Sequence, residues 1–162
     1  MNTQSANSFL DRFFQLGYVV RDLDKAMASY NRRFGPAEFQ VAIAEPEYPH
    51  TRRVAMVYQG PVMIELIEPN PEVPSIYVDY IPEDDSGIRF HHTGHLVDDY
   101  QETLRRLAAE GYNTPYKLSY GDVNDCCYTD MRAELGHYVE HVRLGEPGKQ
   151  WFSSIPGFTA FP

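Results

Sequence analysis

Residues 15–22 read Gln-Leu-Gly-Tyr-Val-Val-Arg-Asp, and residues 92–99 read His-Thr-Gly-His-Leu-Val-Asp-Asp. An offset of 77 residues superposes the glycine of the first stretch, Gly17, on that of the second, Gly94. A repeat of this kind is the mark of one supersecondary unit used twice, and it has to be recognised before a fold is assigned. The chain is therefore predicted to consist of two copies of one unit.

The repeat continues downstream and carries polar side chains at matched positions. Gln15 corresponds to His92 at the start of each copy. Glu65 corresponds approximately to Glu140 near the end of each copy, at an offset of 75 residues. Amide, imidazole and carboxylate groups are all metal ligands in proteins. Four of them at symmetric positions predict a single site to which both copies contribute.

Each copy has the pattern of a β-α-β-β-β unit. An apolar strand comes first, and Asp22 or Asp99 then stands where it can cap a helix whose apolar residues recur at helical spacing. We predict an α+β fold in which two βαβββ modules form one cupped mixed β-sheet around a metal site. The predicted segments are a polar N-terminal extension (1–12), a first module (13–68), a linker (69–87), a second module (88–144) and an aromatic C-terminal tail (145–162).

Strand alternation predicts where the matched residues point. Because successive side chains face opposite sides of a strand, Gln15 and His92 face away from the helices. Glu65 and Glu140 reach the same concave face if the two half-sheets join edge to edge. By the same alternation His91 faces the opposite side from His92, and we expect it to be a packing or hydrogen-bonded histidine.

Composition excludes several classes of partner. A net charge of −9 over 162 residues argues against binding to nucleic acids and to anionic membranes. The chain has no run of 18 apolar residues, so we expect no membrane span. The only cysteines, Cys126 and Cys127, are adjacent and rarely bridge each other, which favours a reducing cytoplasm. Each module leaves sheet edges to cover, which favours a homodimer.

The pattern resembles the vicinal oxygen chelate superfamily, also called the glyoxalase/bleomycin resistance/dioxygenase fold. The resemblance implies that Gln15, Glu65, His92 and Glu140 bind one divalent metal ion, of which Zn, Ni, Co, Mn and Mg suit such a ligand set. The segments that carry it, in order, are Gln15-Leu-Gly-Tyr-Val-Val-Arg-Asp, Met63-Ile-Glu-Leu-Ile-Glu-Pro, His92-Thr-Gly-His-Leu-Val-Asp-Asp and Gly136-His-Tyr-Val-Glu-His-Val.

The implied chemistry is proton abstraction next to a metal-polarised carbonyl. In related isomerases a glutamate of the ligand set serves as the base, so Glu140 and Glu65 are the candidate catalytic residues. The iron dioxygenases of the superfamily use two histidines and one carboxylate. Gln15 stands in the place of one of those histidines, which disfavours dioxygen chemistry.

Two branches of the superfamily fit best. The ligand order resembles glyoxalase I, but Val19 and Pro69 replace the arginine and asparagine that would contact glutathione. The second opening motif resembles that of methylmalonyl-CoA epimerases, although Arg52 and Arg53 stand near the expected second base. We predict a small-molecule isomerase, epimerase or lyase that acts on a hydrophobic compound or an acyl thioester. The alternatives are a glyoxalase-type lyase and a non-catalytic drug-binding protein.

Three further residues are predicted to bind the substrate. Arg53 is expected to enter the cavity and hold an anionic group. Tyr138 shares the predicted face of Glu140, and Met63 shares that of Glu65, so both are expected to line an apolar pocket. The tail carries four aromatic residues that cover a sheet, a subunit contact or a bound ligand.

Overall fold

The first copy of the repeat forms a β-α-β-β-β unit in a computed structural model that describes residues 8–162. Residues 1–7 of the predicted polar extension lie outside the described residues. The elements of this module are β1 (Phe13–Val20), α1 (Leu23–Phe34), β2 (Gln40–Ile43), β3 (Thr51–Gln59) and β4 (Val62–Pro69).

The second copy repeats this order and is followed by a helical tail. A short 3₁₀ helix (Val78–Tyr80) lies in the linker between the copies. The second module contains β5 (Ile88–Leu96), α2 (Tyr100–Ala109), β6 (Tyr116–Ser119), β7 (Asn124–Met131) and β8 (His137–Leu144). Two helices were not predicted, the single turn α3 (Arg132–Leu135) and α4 (Glu146–Ser153) in the tail.

Both long helices begin at the predicted caps. The Asp22 carboxylate accepts a hydrogen bond from the Lys25 amide at 3.1 Å, and the Asp99 carboxylate accepts one from the Glu102 amide at 2.8 Å. These bonds satisfy amide groups that the first turn of a helix leaves without a partner. The apolar face of α1, which includes Leu23, packs on the outer face of the first half-sheet.

The described residues form one eight-stranded mixed sheet in the order β2-β3-β4-β1-β5-β8-β7-β6. Within each module the first and last strands pair in parallel, and the two modules join through the antiparallel pair β1–β5. The predicted α+β architecture of two βαβββ modules is therefore confirmed. The four strands that carry the matched polar residues, β4, β1, β5 and β8, are neighbours at the centre of the sheet.

The concave face of the sheet is closed from two sides. The tail packs Phe152 and Ile155 into the apolar cluster on that face, and the carbonyl of Pro156 accepts a hydrogen bond from the Tyr58 amide at 2.8 Å. Opposite the tail, the rings of Tyr48 and Tyr120 meet with centroids 4.1 Å apart. We call this pair the aromatic clasp, because it links the loop after β2 to the turn after β6.

The sheet separates the two cysteines, which are free and buried. Cys126 faces the concave side and Cys127 packs under α2. None of the helices among residues 8–162 is long and apolar enough to cross a membrane.

Candidate metal centre

Three of the four predicted ligands meet at the centre of the concave face. One ligand atom from each of Glu65, His92 and Glu140 lies within 4.8 Å of the other two. The Nε2 atom of His92 is 3.4 Å from Oε2 of both glutamates. His92 is fully buried, and the side chains of Glu65 and Glu140 are 15% and 8% exposed. Both modules of one chain contribute residues to the cluster.

The fourth predicted ligand, Gln15, touches the same cluster. Its amide nitrogen donates to Oε2 of Glu65 at 2.6 Å and lies 3.3 Å from Nε2 of His92. The amide also carries an acceptor oxygen, so a flip of the side-chain amide that exchanges its nitrogen and oxygen would supply an oxygen ligand. All four residues are therefore positioned around one point.

The two repeated glycines make room for the cluster. Gly17 pairs with His92, and Gly94 pairs with Gln15, across the ladder between β1 and β5. A Cβ atom at Gly17 would overlap the imidazole of His92, and one at Gly94 would stand 2.7 Å from Cβ of Gln15. Each glycine thus lies beneath the first ligand of the other copy.

Burial and mutual charge set the protonation of the cluster. Burial and the neighbouring Glu140 raise the pKa of Glu65. Burial also disfavours the charged form of Glu140, but the hydrogen bond and charge of His92 outweigh it and lower that pKa. Burial alone would lower the pKa of His92, yet the two carboxylates raise it to about 9. Without a metal ion, the single positive charge of protonated His92 thus offsets only part of the negative charge of the two buried carboxylates.

His91 fixes the orientation of the His92 ring. The Nε2 atom of His91 lies 3.1 Å from the carbonyl oxygen of Ile76, which can only accept, so this nitrogen carries a proton. Burial lowers the pKa of His91 to about 3, so the ring is neutral and its Nδ1 is an acceptor. That Nδ1 is 3.0 Å from Nδ1 of His92, which must donate. His92 therefore presents Nε2 to the two carboxylates.

These observations fit a divalent cation. A ligating histidine commonly donates its other ring nitrogen to a neighbouring acceptor, as His92 does to His91. Two carboxylates and one imidazole nitrogen converge, and a cation replacing the proton of His92 would balance the negative charge. The donor set of oxygen and nitrogen suits Zn, Ni, Co, Mn or Mg.

The expectation that His91 faces away from His92 is wrong. The pairing of β5 with β1 skips from Gly17–His92 to Tyr18–Phe90, which leaves His91 as an extra residue. Such a bulge breaks the alternation of side chains. His91 consequently lies on the side of His92 and stacks on Tyr138 with ring centroids 4.9 Å apart.

A cavity of about 630 Å³ opens above the cluster. Gln15, Glu65 and Glu140 form part of its lining. Its walls are largely apolar and aromatic, and the aromatic clasp and α4 contribute to them. The walls also include Thr51, Tyr77, Leu118, Tyr128, Trp151 and Phe152.

The three predicted substrate residues do not line this cavity. Arg53 bonds Glu68 at 2.7 Å and Asp24 at 3.0 Å, toward α1. A register shift between Thr51 and Arg53 turns the arginine to that side. This placement argues against its predicted substrate contact.

Tyr138 and Met63 are part of the packing around the site. Tyr138 is 5% exposed and supports the ring of His91, and Met63 is fully buried in the apolar cluster. Sequence reasoning missed Tyr48, Tyr120 and the position of Trp151 in the cavity wall. Only the aromatic richness of the tail pointed to Trp151, and no local signal marked the clasp.

Comparison with known proteins identifies the fold. Residues 14–128 match the family model of the Glyoxalase/Bleomycin resistance protein/Dioxygenase superfamily, which spans more than half of the chain. A search of curated protein sequences found no match.

Solved structures of methylmalonyl-CoA epimerases share this architecture. The enzyme from Mycobacterium tuberculosis aligns with a TM-score of 0.63 and 19% identity, over 88% of this chain and 94% of that one. A methylmalonyl-CoA epimerase in complex with methylmalonyl-CoA and NH4+ gives 0.63 and 17%, over 83% and 95%. A Streptomyces coelicolor epimerase variant in complex with 2-nitronate-propionyl-CoA gives 0.62 and 19%, over 83% and 95%. At these identities the likeness establishes the fold alone.

Proposed function

Because this chain belongs to the Glyoxalase/Bleomycin resistance protein/Dioxygenase superfamily, we propose that it is a divalent-metal-dependent isomerase, epimerase or lyase. It acts on a small molecule, at a carbon next to a carbonyl group. The observation that carries the proposal is the buried cluster of Glu65, His92 and Glu140 at the base of a cavity of about 630 Å³. The structural likeness to methylmalonyl-CoA epimerases supports the same class of reaction.

The ion would be held by Gln15, Glu65, His92 and Glu140. When bound, a divalent cation polarises a carbonyl oxygen and stabilises the negative charge that develops on it. The donation from Nδ1 of His92 to His91 keeps Nε2 directed at the two carboxylates. The glycines opposite His92 and Gln15 leave free the space that these two side chains occupy.

The protein itself supplies the base. Glu65 and Glu140 both line the cavity and are the candidate catalytic residues. A carboxylate oxygen of one of them takes the proton from the carbon next to the carbonyl and returns it to that carbon or to a neighbour. The apolar walls exclude water from the reacting carbon, which strengthens the interaction between charges.

The test combines metal analysis with proton exchange. The purified protein, after incubation with Zn, Ni, Co, Mn or Mg and removal of excess ion, should retain about one ion per chain. In deuterated solvent, NMR should detect metal-dependent exchange of the proton next to the carbonyl in 2-hydroxyacetophenone or methylmalonyl-CoA. Glu65→Gln and Glu140→Gln should each weaken ion binding, and loss of the base should slow exchange by about 100-fold or more.

Glu47→Gln is the matched control, because Glu47 is an exposed glutamate in the loop after β2 that neither lines the cavity nor belongs to the cluster. It should retain both the ion and the exchange. Absence of a bound ion after all five incubations would overturn the proposal. The second candidate function, a metal-free protein that binds a small molecule, would then be favoured, because the cavity walls are apolar and aromatic.

A further inference from the structure

Among residues 8–162, the side chains that line the cavity include acidic ones but no Lys, Arg or His. The acidic residues are Glu65 and Glu140 in the metal cluster, and Glu45 at the mouth. A divalent cation would balance the charges of the two cluster carboxylates. A carboxylate or phosphate of the substrate would then find no positive side chain along the walls, and burying it without a partner is costly.

Two arginines on strands that contribute to the cavity wall are held in ion pairs and do not line the cavity. Arg53 on β3 is held by Glu68 and Asp24. Arg143 on β8 bonds Asp125 at 2.8 Å. Coenzyme A carries several phosphate charges, and proteins generally bind phosphate through Arg, Lys or backbone amides. The lining therefore provides no cationic side chain to bind the phosphates of a coenzyme A thioester.

Six aromatic rings form part of the otherwise mainly aliphatic walls. Tyr48 and Tyr120 meet at 4.1 Å, and the hydroxyl of Tyr48 donates to the carbonyl of Ser119 at 2.9 Å, which fixes the clasp. Trp151 and Phe152 form a second pair with centroids 5.2 Å apart. Tyr77 and Tyr128 add rings near the base. Rings placed in this way favour an aromatic ligand through offset and edge-to-face contacts.

We propose that the substrate is an uncharged aromatic carbonyl compound, and that coenzyme A thioesters are not substrates. The carbonyl part of this inference rests on the proposed function. The uncharged and aromatic parts rest on the lining of the cavity. A volume of about 630 Å³ lies within the range of sites for drug-sized molecules.

Trp151 makes the inference testable without catalysis, because it is the single tryptophan and lines the cavity. Its fluorescence should report the binding of 2-hydroxyacetophenone to the metal-loaded protein. The matched probes are the same compound with a 4-carboxylate or a 4-aminomethyl group, together with methylmalonyl-CoA. We expect the uncharged compound to bind at least about tenfold more tightly than either charged analogue. Equal or tighter binding of a charged analogue or of methylmalonyl-CoA would overturn the inference.

A charge introduced into the wall provides the second test. Thr51→Arg places a cation in the lining, and Val41→Arg places one at an exposed position of the neighbouring β2 that does not line the cavity. Thr51→Arg should tighten binding of the 4-carboxylate by about fivefold or more, and Val41→Arg should leave it unchanged. An equal effect of both variants would mean that the cavity does not select against the charge. The comparison of probes on the parent protein stands even if Thr51→Arg fails to fold.

These measurements separate the two proposals. Binding of the uncharged probe without any proton exchange would retain the ligand class and overturn the proposed reaction. Metal-dependent exchange in methylmalonyl-CoA, with weak binding of the uncharged probe, would retain the reaction and overturn the ligand class.

Discussion

Gly17 lies directly across from His92 in the ladder between β1 and β5, and the imidazole ring occupies the space where a Cβ atom of residue 17 would stand. Gly17→Ala should therefore displace the ring and reduce metal affinity by about 10-fold or more. Gly111→Ala is the control, because no atoms lie near the added Cβ there, and the only strain comes from the positive φ of 82°. That variant should lose about 1 kcal/mol of stability and keep its metal affinity. Isothermal titration with Zn compares the two, and equal affinities would contradict this role of Gly17.

His91→Phe should weaken metal binding while preserving the fold. Phenylalanine retains a ring to stack on Tyr138 but offers no acceptor to Nδ1 of His92. Loss of such a partner costs about 10–100-fold in metal affinity. A chelator competition assay measures this change. His91→Asn is expected to recover part of the affinity, and an unchanged affinity in His91→Phe would show that His91 does not position His92.

Removal of the metal ion should destabilise the parent protein but not the cluster variants. An ion present at about 100 times its dissociation constant stabilises the fold by about 2.7 kcal/mol, which corresponds to about 5–10 °C in melting temperature. Addition of EDTA should remove this increment from the parent. Glu65→Gln and Glu140→Gln should melt at the same temperature with and without the chelator, and a fall of equal size in these variants would place the ion elsewhere.

Acid should destabilise the fold through His141. This residue is fully buried, its Nε2 donates to the carbonyl of Phe9 at 3.0 Å, and burial lowers its pKa to about 4. The unfolded chain takes up the proton near pH 6.5, whereas the folded chain does so only near pH 4. The contribution of neutral His141 to the free energy of unfolding is thus fully present above pH 6.5 and is lost as the pH decreases toward 4. Between pH 7 and pH 5 the loss is about 2 kcal/mol.

Urea unfolding of the parent and of His141→Gln at both pH values measures this contribution. The difference between the two proteins cancels the titration of the metal cluster. Between pH 7 and pH 5, the free energy of unfolding of His141→Gln should fall by about 2 kcal/mol less than that of the parent. An identical pH dependence in both proteins would assign the acid sensitivity to other groups.

Arg53→Met should affect stability and not ligand binding. It removes the ion pairs with Glu68 and Asp24, which are partly exposed, and so costs about 1 kcal/mol. The affinity for the 4-carboxylate probe, measured by the fluorescence of Trp151, should stay within about twofold of the parent. A large loss of affinity for this anion would show that Arg53 contacts the bound ligand, as the sequence predicted.

The repeat was sufficient to predict the two modules and the four polar residues that meet at the centre. Spacing and alternation carry this information because the pairing of β1 with β5 is unbroken from Gln15–Gly94 to Gly17–His92. Alternation failed at two of the places where a ladder shifts. A bulge moved His91 to the side of His92, and a shift near Thr51 directed Arg53 toward α1.

The walls of the cavity were beyond the reach of sequence patterns. Tyr48 and Tyr120 are 72 residues apart and lie in loops without a periodic signature. Their contact depends on how far the sheet curls, which no local pattern encodes. The tail was predicted to cover a sheet, a subunit contact or a bound ligand, but the helix that brings Trp151 to the cavity follows from packing on the concave face.

The ladder between β1 and β5 has a consequence for kinetics. It joins residues as far apart as Gln15 and Gly94, so the chain must close a long loop before the ligands of the two halves meet. Ion binding would thus come after most of the folding barrier has been crossed. A bound ion would then leave the folding rate almost unchanged and lower the unfolding rate, because the two modules cannot separate without releasing the ion.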